Sequence, residues 1–265
     1  MMKKNYLFLL LSLPLSAFSQ FFEAKYVVRF RANLNNESFS EENCHLLINK
    51  STNNSYFFSE NFYKKDSIGN LISKNRLYRD PSMQDPNLRL KTMFYFLINK
   101  DFEKKEIITN ERIVTKIYTY PQEMKLKWEI SDDTLTIDNY ICQKATLDFE
   151  GRSYSCWFTT EIAISDGPFK FCGLPGLILE ISDTEKHYNF KMVSFQKIQE
   201  IKFKKIYNQE KSMEVSFNNF RKIIKDHNGN PSLALMDAGL KLTDEQLKMI
   251  NFEANIKKSN PIERL

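Results

Sequence analysis

Six consecutive residues, Gly173-Leu174-Pro175-Gly176-Leu177-Ile178, restrict the backbone of this chain more tightly than any other stretch. From Leu174 to Leu177, Pro stands at the second turn position and Gly at the third. That is the order of a type II turn, because Pro pre-sets φ and Gly readily takes φ > 0. Leu177, Ile178, Leu179 and Ile181 follow as an apolar strand interrupted by Glu180. The run therefore predicts a tight turn that feeds a buried strand. It holds no acid, base, nucleophile or metal ligand, so its message is structural.

The first two-thirds of the chain reads as β-structure. Strand patterns cover Phe22–Asn33, His45–Ile48, Ser55–Phe58, Met93–Ile98, Ile113–Tyr120, Leu126–Ile130 and Leu135–Ile137. They resume at Tyr140–Phe149, Arg152–Thr159, Leu177–Ile181 and Tyr188–Phe195. Polar residues 49–54 predict a hairpin turn, and residues 60–90, with Asp80-Pro81 and Asp85-Pro86, a long excursion at one edge. Glu150-Gly151 predicts a two-residue hairpin that sets Ala145 opposite Cys156 and Cys142 opposite Thr159. Cys142 and Cys156 then face opposite sides of the sheet, which disfavours a bridge between them.

The character changes near the end. Phe217, Phe220, Ile223 and Ile224 recur at helical spacing, and the helix is expected to stop near Asn228-Gly229. Thr243 to Gln246 reads as a capping box opening a helix with Leu247, Ile250 and Phe252 inward. Residues 259–265 are polar, contain Pro261, and are expected to fray. The expected fold is mainly β (α+β): a curved antiparallel β-sheet or half-barrel with C-terminal helices packed on it. Residues 20–265 are expected to form one domain, with strands over 20–200 and helices over 215–255.

The N-terminus has the three parts of a signal peptide over residues 1–19. Lys3 and Lys4 are basic, residues 6–15 are apolar, and Ala17-Phe18-Ser19 is a small-x-small cleavage site. Cleavage would leave Gln20 first and place the chain in the periplasm or outside the cell. The apolar stretch is shorter than the roughly 20 residues of a membrane span, and no other stretch is long enough, so a membrane-spanning chain is not expected. Losing Lys3 and Lys4 lowers the formal net charge of +5 by two, to +3. Lys and Glu are interspersed, which suits a solvated surface better than a nucleic-acid groove.

In an oxidising compartment the four cysteines, Cys44, Cys142, Cys156 and Cys172, favour structural disulfides, with three connectivities open. A functional thiol or a metal site is the alternative.

Little else in the chain speaks of chemistry. Its three histidines, His45, His187 and His227, are scattered, and there is no G-x-S-x-G nucleophile elbow. Cys44 and His45 are adjacent on a strand and point to opposite faces, so one ion would not meet both. Asp132, Asp133 and Asp166 are candidate acids or cation ligands, but Asp is also the common turn residue. Arg152 offers itself to an anion, although a hairpin-end Arg more often faces solvent. Trp128, Tyr140, Tyr154, Trp157, Phe158 and Phe171 are candidates for an apolar ligand site, with core packing the commoner fate of strand aromatics. No phosphate loop or haem motif is present and no cofactor is expected.

Several blocks together carry a resemblance: Trp128–Ile130, Ile137–Thr146, Gly151–Thr159, Glu161-Ile162, Gly167-Pro168, Lys170-Phe171 and the Gly173–Ile178 run. They span residues 124–182 and are similar to the GLPGLI family, exported proteins of Gram-negative bacteria. Leu46–Ile48 and Ser55–Phe57 fit more weakly. Cys156 and Cys172 depart from the family's usual residues, which leaves cysteine pairing open. The resemblance implies an exported protein often encoded near outer-membrane receptors. It adds Gly173, Leu174, Pro175, Gly176 and Leu177 to Trp128, Tyr140 and Trp157 as binding candidates.

The leading expectation is a non-enzymatic periplasmic binding or accessory module in envelope transport or biogenesis. Its ligand would be a lipid or peptide, and its partner an outer-membrane receptor or another envelope protein. The rivals are a secreted hydrolase and a metal-handling protein using Cys142 and Cys172. A pocket with two carboxylates would favour the hydrolase, and an apolar groove without titratable groups the carrier.

Overall fold

The computed structural model describes residues 20–65, 91–114, 116–201, 212–237, 239, 241–256 and 260–264. The expected signal peptide and most of the 60–90 excursion lie outside the described residues; within that excursion, residues 60–65 are helical.

Among the described residues twelve strands join one sheet. In chain order they are β1 (Phe21–Phe30), β2 (Ser40–Asn49), β3 (Asn54–Ser59), β4 (Phe96–Asp101), β5 (Glu106–Ile113) and β6 (Lys116–Glu123). Then come β7 (Glu129–Ile137), β8 (Tyr140–Phe149), β9 (Arg152–Thr159), β10 (Leu177–Asp183), β11 (Tyr188–Ile198) and β12 (Ser212–Glu214). The spatial order is β12-β6-β5-β4-β3-β2-β1-β11-β10-β9-β8-β7. Every pair is antiparallel except β12 with β6, so the sheet is mixed, and it stays open rather than closing into a barrel.

Period-two burial assigns the faces. Ala24, Tyr26, Val28 and Phe30 of β1 point inward, alternating with more exposed neighbours. With Leu46, Phe57, Ile98, Phe158, Ile178 and Phe190 they belong to the main core. A smaller cluster, Leu47, Phe58, Phe62 and Leu97, draws on neighbouring alternate positions, and Phe62 comes from the helical turn after β3. Ile107 is buried on β5, but the pattern breaks at buried Thr109 and Asn110, which is why this strand was not foreseen.

The sheet must curve strongly. Seven strand spacings separate β6 from β10, ~33 Å if flat. Yet Lys170, seven residues before β10 begins, reaches Tyr120 and Gln122 on β6. The β9–β10 loop thus spans a trough.

The β8–β9 hairpin has the expected register, with Ala145 opposite Cys156. Glu150 and Gly151 both have positive φ, 44° and 75°, as a two-residue turn matching strand twist requires.

The signature turn corrects its expected form. Gly176 is not at positive φ; within the run the left-handed residue is Gly173, at 96°. The Gly176 N–H donates to Leu174 O at 2.8 Å, closing a three-residue turn around Pro175. Glycine is needed at 176 because a Cβ there would stand 2.0 Å from Thr159 O, on the neighbouring strand β9.

Helix α1 (Phe217–Gly229) is capped by Ser216, whose Oγ accepts from Asn219 N, and ends where the sequence suggested. Phe217 and Phe220 stack on Tyr120 of β6. Helix α2 (Pro231–Asp237) is followed by α3 (Asp244–Ile256), which opens with the expected capping box. Thr243 N donates to Gln246 Oε1 at 2.9 Å, and Gln246 N returns to Thr243 Oγ1.

Two further expectations are overturned. Residues 260–264 do not fray: Asn260 and Ile262 are buried, and Asn260 N donates to Ala32 O. No disulfide forms among the described residues, and all four cysteines are buried free thiols. Cys142 and Cys156 are kept apart by strand parity. Cys44 on β2 and Cys156 on β9 are separated by the three intervening strands β1, β11 and β10, so they are not neighbours across the sheet.

Among the described residues no helix is long and apolar enough to cross a membrane.

Candidate functional site

The β5–β6 ladder sets the polar end of the site. Thr109 pairs with Tyr120 and Glu111 with Tyr118, so the side chains of 109, 111, 118 and 120 share one face. The β9–β10 loop supplies the opposite wall. Two successive three-residue turns fold it, with Ile164 N on Ile162 O and Asp166 N on Ile164 O. Asp166 pairs with Lys100 in a fully buried ion pair, and Lys100 Nζ also donates to Gly167 O at 2.6 Å. Gly167 packs so closely on Ile178 that a Cβ would meet it at 2.8 Å. The Pro168–Phe171 turn that follows aims Lys170 at β6.

Lys170 is 1% exposed. Its ammonium donates to Gln122 Oε1 at 2.6 Å and Glu263 Oε1 at 2.7 Å, and reaches Tyr120 Oη at 3.5 Å. It also lies 5.1 to 5.6 Å from the centroids of Tyr120, Phe169 and Phe217. Tyr120 Oη donates to Glu111 Oε2 at 3.0 Å. A polar chain Glu263–Lys170–Tyr120–Glu111 therefore forms part of the lining of a half-enclosed cavity of about 250 Å³. Phe30, Phe94, Phe96, Phe169, Phe220 and Ile224 give most of its apolar wall.

Burial pushes the Glu111 carboxyl up to about 7; the charge of Glu263 adds to this, while Lys170 and the Tyr120 hydrogen bond oppose it. Burial, then the two carboxylates, holds the Tyr120 phenol well above its ordinary range, so it stays a neutral donor. Glu111 is thus a carboxyl able to hold or release a proton near neutrality.

The C-terminal segment completes the wall. Arg152, expected at the surface, is 4% exposed and grips this segment. Its guanidinium donates to Pro261 O at 2.8 Å, Ile262 O at 3.1 Å and Asn260 Oδ1. Tyr154 and Tyr188 donate to the carbonyls of Ile262 and Asn260. The clamp delivers Glu263 to Lys170.

Among the described residues Asp183, Glu185 and His187 form the one group with ligand-type atoms within 4.8 Å of one another. Asp183 already takes Arg152 at 2.7 Å, and Glu185 takes Arg264. A metal would have to displace two guanidiniums, so the residues fit it poorly. The cysteines are not part of this group.

Most sequence candidates stand elsewhere. Trp128 Nε1 donates to Cys172 O at 2.8 Å and its ring meets Phe171 edge-on. Tyr140 and Trp157 pack partly buried against the main core. Leu174 and Leu177 are core, and none of Trp128, Tyr140, Trp157 or Gly173–Leu177 lines the cavity. Asp132 and Asp133 sit exposed in an irregular stretch of β7. His45 is held by Glu23 at 2.8 Å, with Cys44 buried on the opposite face. Sequence reasoning missed Glu111, Tyr120 and Glu263. They lie on β5, β6 and the last residues, and no local pattern links them.

Fold and cavity together define an open, mixed β-sheet protein with a largely apolar cavity walled by the sheet, a loop, helix α1 and its own C-terminal segment. The family described as "Protein of unknown function (Porph_ging)" matches residues 150–180, the stretch from the β8–β9 turn through Arg152, the loop and Lys170 into β10. Two solved structures of PNGF-II, in space groups C2 and P21, share the fold. Their TM-scores are 0.54 and 0.52, at 14% and 15% identity over 77% of this chain. The chain spans about a third of their length, 32% and 33%. No curated protein sequence matches.

Proposed function

We propose that the chain is a non-enzymatic binding or accessory module of the GLPGLI type, exported to the periplasm, whose cavity holds a small amphipathic ligand. The observation that carries this reading is the cavity's mixed lining: aromatic and aliphatic side chains together with the hydrogen-bonded Glu111–Tyr120–Lys170–Glu263 chain. Such a site takes an apolar body and orients one polar group. At about 250 Å³ it has room for about eight waters, hence a small molecule or the end of a longer lipid or peptide.

Two carboxylates near one cavity would favour a hydrolase if both were available. Glu263 is tied to Lys170 and held by the C-terminal clamp, which removes it from an acid–base pair. Glu111 supports the second reading, general acid–base chemistry, since its carboxyl titrates near neutrality. Calorimetric titration with short-chain lipids and hydrophobic peptides, run beside a hydrolase panel, separates the two. Saturable binding without turnover supports the binding module. Turnover abolished by Glu111→Gln in a folded protein overturns it in favour of the enzyme.

A further inference from the structure

The cavity's charges do not balance. Glu111 from β5 and Glu263 from the C-terminal segment face a single cation, Lys170 from the β9–β10 loop. Tyr120 and Gln122 from β6 and Asn228 from α1 bring no charge. Glu150, which also feels Glu263 and Lys170, has its own partner in Arg221 at 3.9 Å. Arg152 is engaged by Asp183 and Glu185. With Glu111 ionised the cluster carries one uncompensated negative charge beside apolar walls, an arrangement that burial opposes unless a proton or another cation joins it.

Lys170 cannot supply that compensation by direct contact. An ammonium has three protons, and those of Lys170 are directed at Glu263, Gln122 and Tyr120. The Glu111 carboxylate receives Tyr120, and it lines the cavity. Thr109 Oγ1, buried in the same wall, is near enough to Tyr120 to act on its phenol yet has no well-formed hydrogen bond. The walls also suit a cation. The Lys170 ammonium already rests among three aromatic rings, and Phe30, Phe94, Phe96 and Phe220 present further rings to the cavity.

Building on the binding-module reading, we infer that the ligand is an organic ammonium, its cation against Glu111 and its apolar body along the phenylalanine wall. An anionic head group would meet the uncompensated charge of Glu111, and a neutral one would leave that charge uncancelled.

The test is calorimetric titration of the purified protein with hexylammonium, hexanol and hexanoate, at about pH 8, where a carboxyl titrating near 7 is ionised. Hexylammonium is expected to bind about tenfold tighter than hexanol, with hexanoate weakest. Glu111→Gln is expected to abolish the preference for hexylammonium over hexanol. Hexanol or hexanoate binding as tightly as hexylammonium would overturn the ammonium inference and leave the binding module standing. Failure of all three to saturate would overturn both. A folded Glu111→Gln protein that keeps the preference would refute the role of Glu111. Should that variant not fold, the ranking of the three compounds on the parent protein decides.

Discussion

Lys170 Nζ lies 2.7 Å from Glu263 Oε1, an ion pair that joins the β9–β10 loop to a residue 93 positions later. Both partners are largely buried, at 1% and 10% side-chain exposure. The pair ties together the loop, the C-terminal segment and, through Tyr120, strand β6. Lys170→Met strands Glu263 as an unpaired charge and is expected to cost about 3–5 kcal/mol. Lys170→Met combined with Glu263→Gln should cost clearly less, because no lone charge remains. Urea midpoints of the three proteins check this; equal losses in the single and double variants would refute it.

Arg152 is the clamp on the C-terminal segment. Replacing it with Met removes the donors to Asn260, Pro261 and Ile262 and leaves Asp183 without its buried partner. A loss of about 3–5 kcal/mol is expected. Amide exchange at residues 260–264 should rise further than at β1 or β2. Uniform exchange across the protein would contradict a local clamp.

The two glycines of the signature turn are needed for different reasons, and alanine tells them apart. At Gly176 the added Cβ would collide with Thr159 O on β9, which must move. At Gly173 the nearest atom is Trp128 Nε1 at 4.0 Å, so the penalty is the left-handed backbone alone, about 1 kcal/mol. Gly176→Ala is expected to cost at least about twice as much. A reversed order of denaturant midpoints would refute this.

Glu111 makes stability fall with rising pH. Its carboxyl moves from an ordinary 4.5 to about 7 in the folded protein, so between these values the folded state binds the additional proton. Relative to Glu111→Gln, the parent should lose stability as pH rises from about 4.5 to about 7 and then level off. Urea midpoints of both proteins across that range test the sign. A gap between them that stays constant with pH would show that Glu111 ionises normally.

Four free thiols should appear when the protein is unfolded without reductant, and almost none should react while it is folded. Burial pushes the Cys156 and Cys172 thiols up to about 12, which leaves little reactive thiolate. Finding two thiols or fewer in the unfolded protein would mean that a disulfide forms after all.

How much was legible in the chain varies with the range of the interaction. The β8–β9 hairpin was readable because Glu150-Gly151 and two alternating flanks specify turn and register within twenty residues. The α3 capping box was readable for the same reason, since Thr243 and Gln246 bond each other directly. Gly176 was recognised as essential but for the wrong cause. Its constraint comes from Thr159 on the adjacent strand, a contact that no turn rule contains. Arg152 and residues 260–264 were misjudged together, because polar side chains that look solvated singly are buried once they satisfy each other.

Alternation, turn residues and caps act over a few positions, so the amino-acid order by itself determined most of the strands, the β8–β9 hairpin, the α3 capping box and the mainly β class, but not β5, β12 or α2. The cavity answers to different physics. Glu111, Tyr120, Lys170 and Glu263 come from two strands, a loop and the C-terminal segment, and each taken alone is an ordinary polar residue. The curvature of the sheet brings the loop across to β6, and the hydrogen bonds of Arg152, Tyr154 and Tyr188 to the C-terminal segment place Glu263 there. The burial that shifts Glu111 arises from that assembly, so the tertiary structure alone decided that this cavity exists and which charged groups line it.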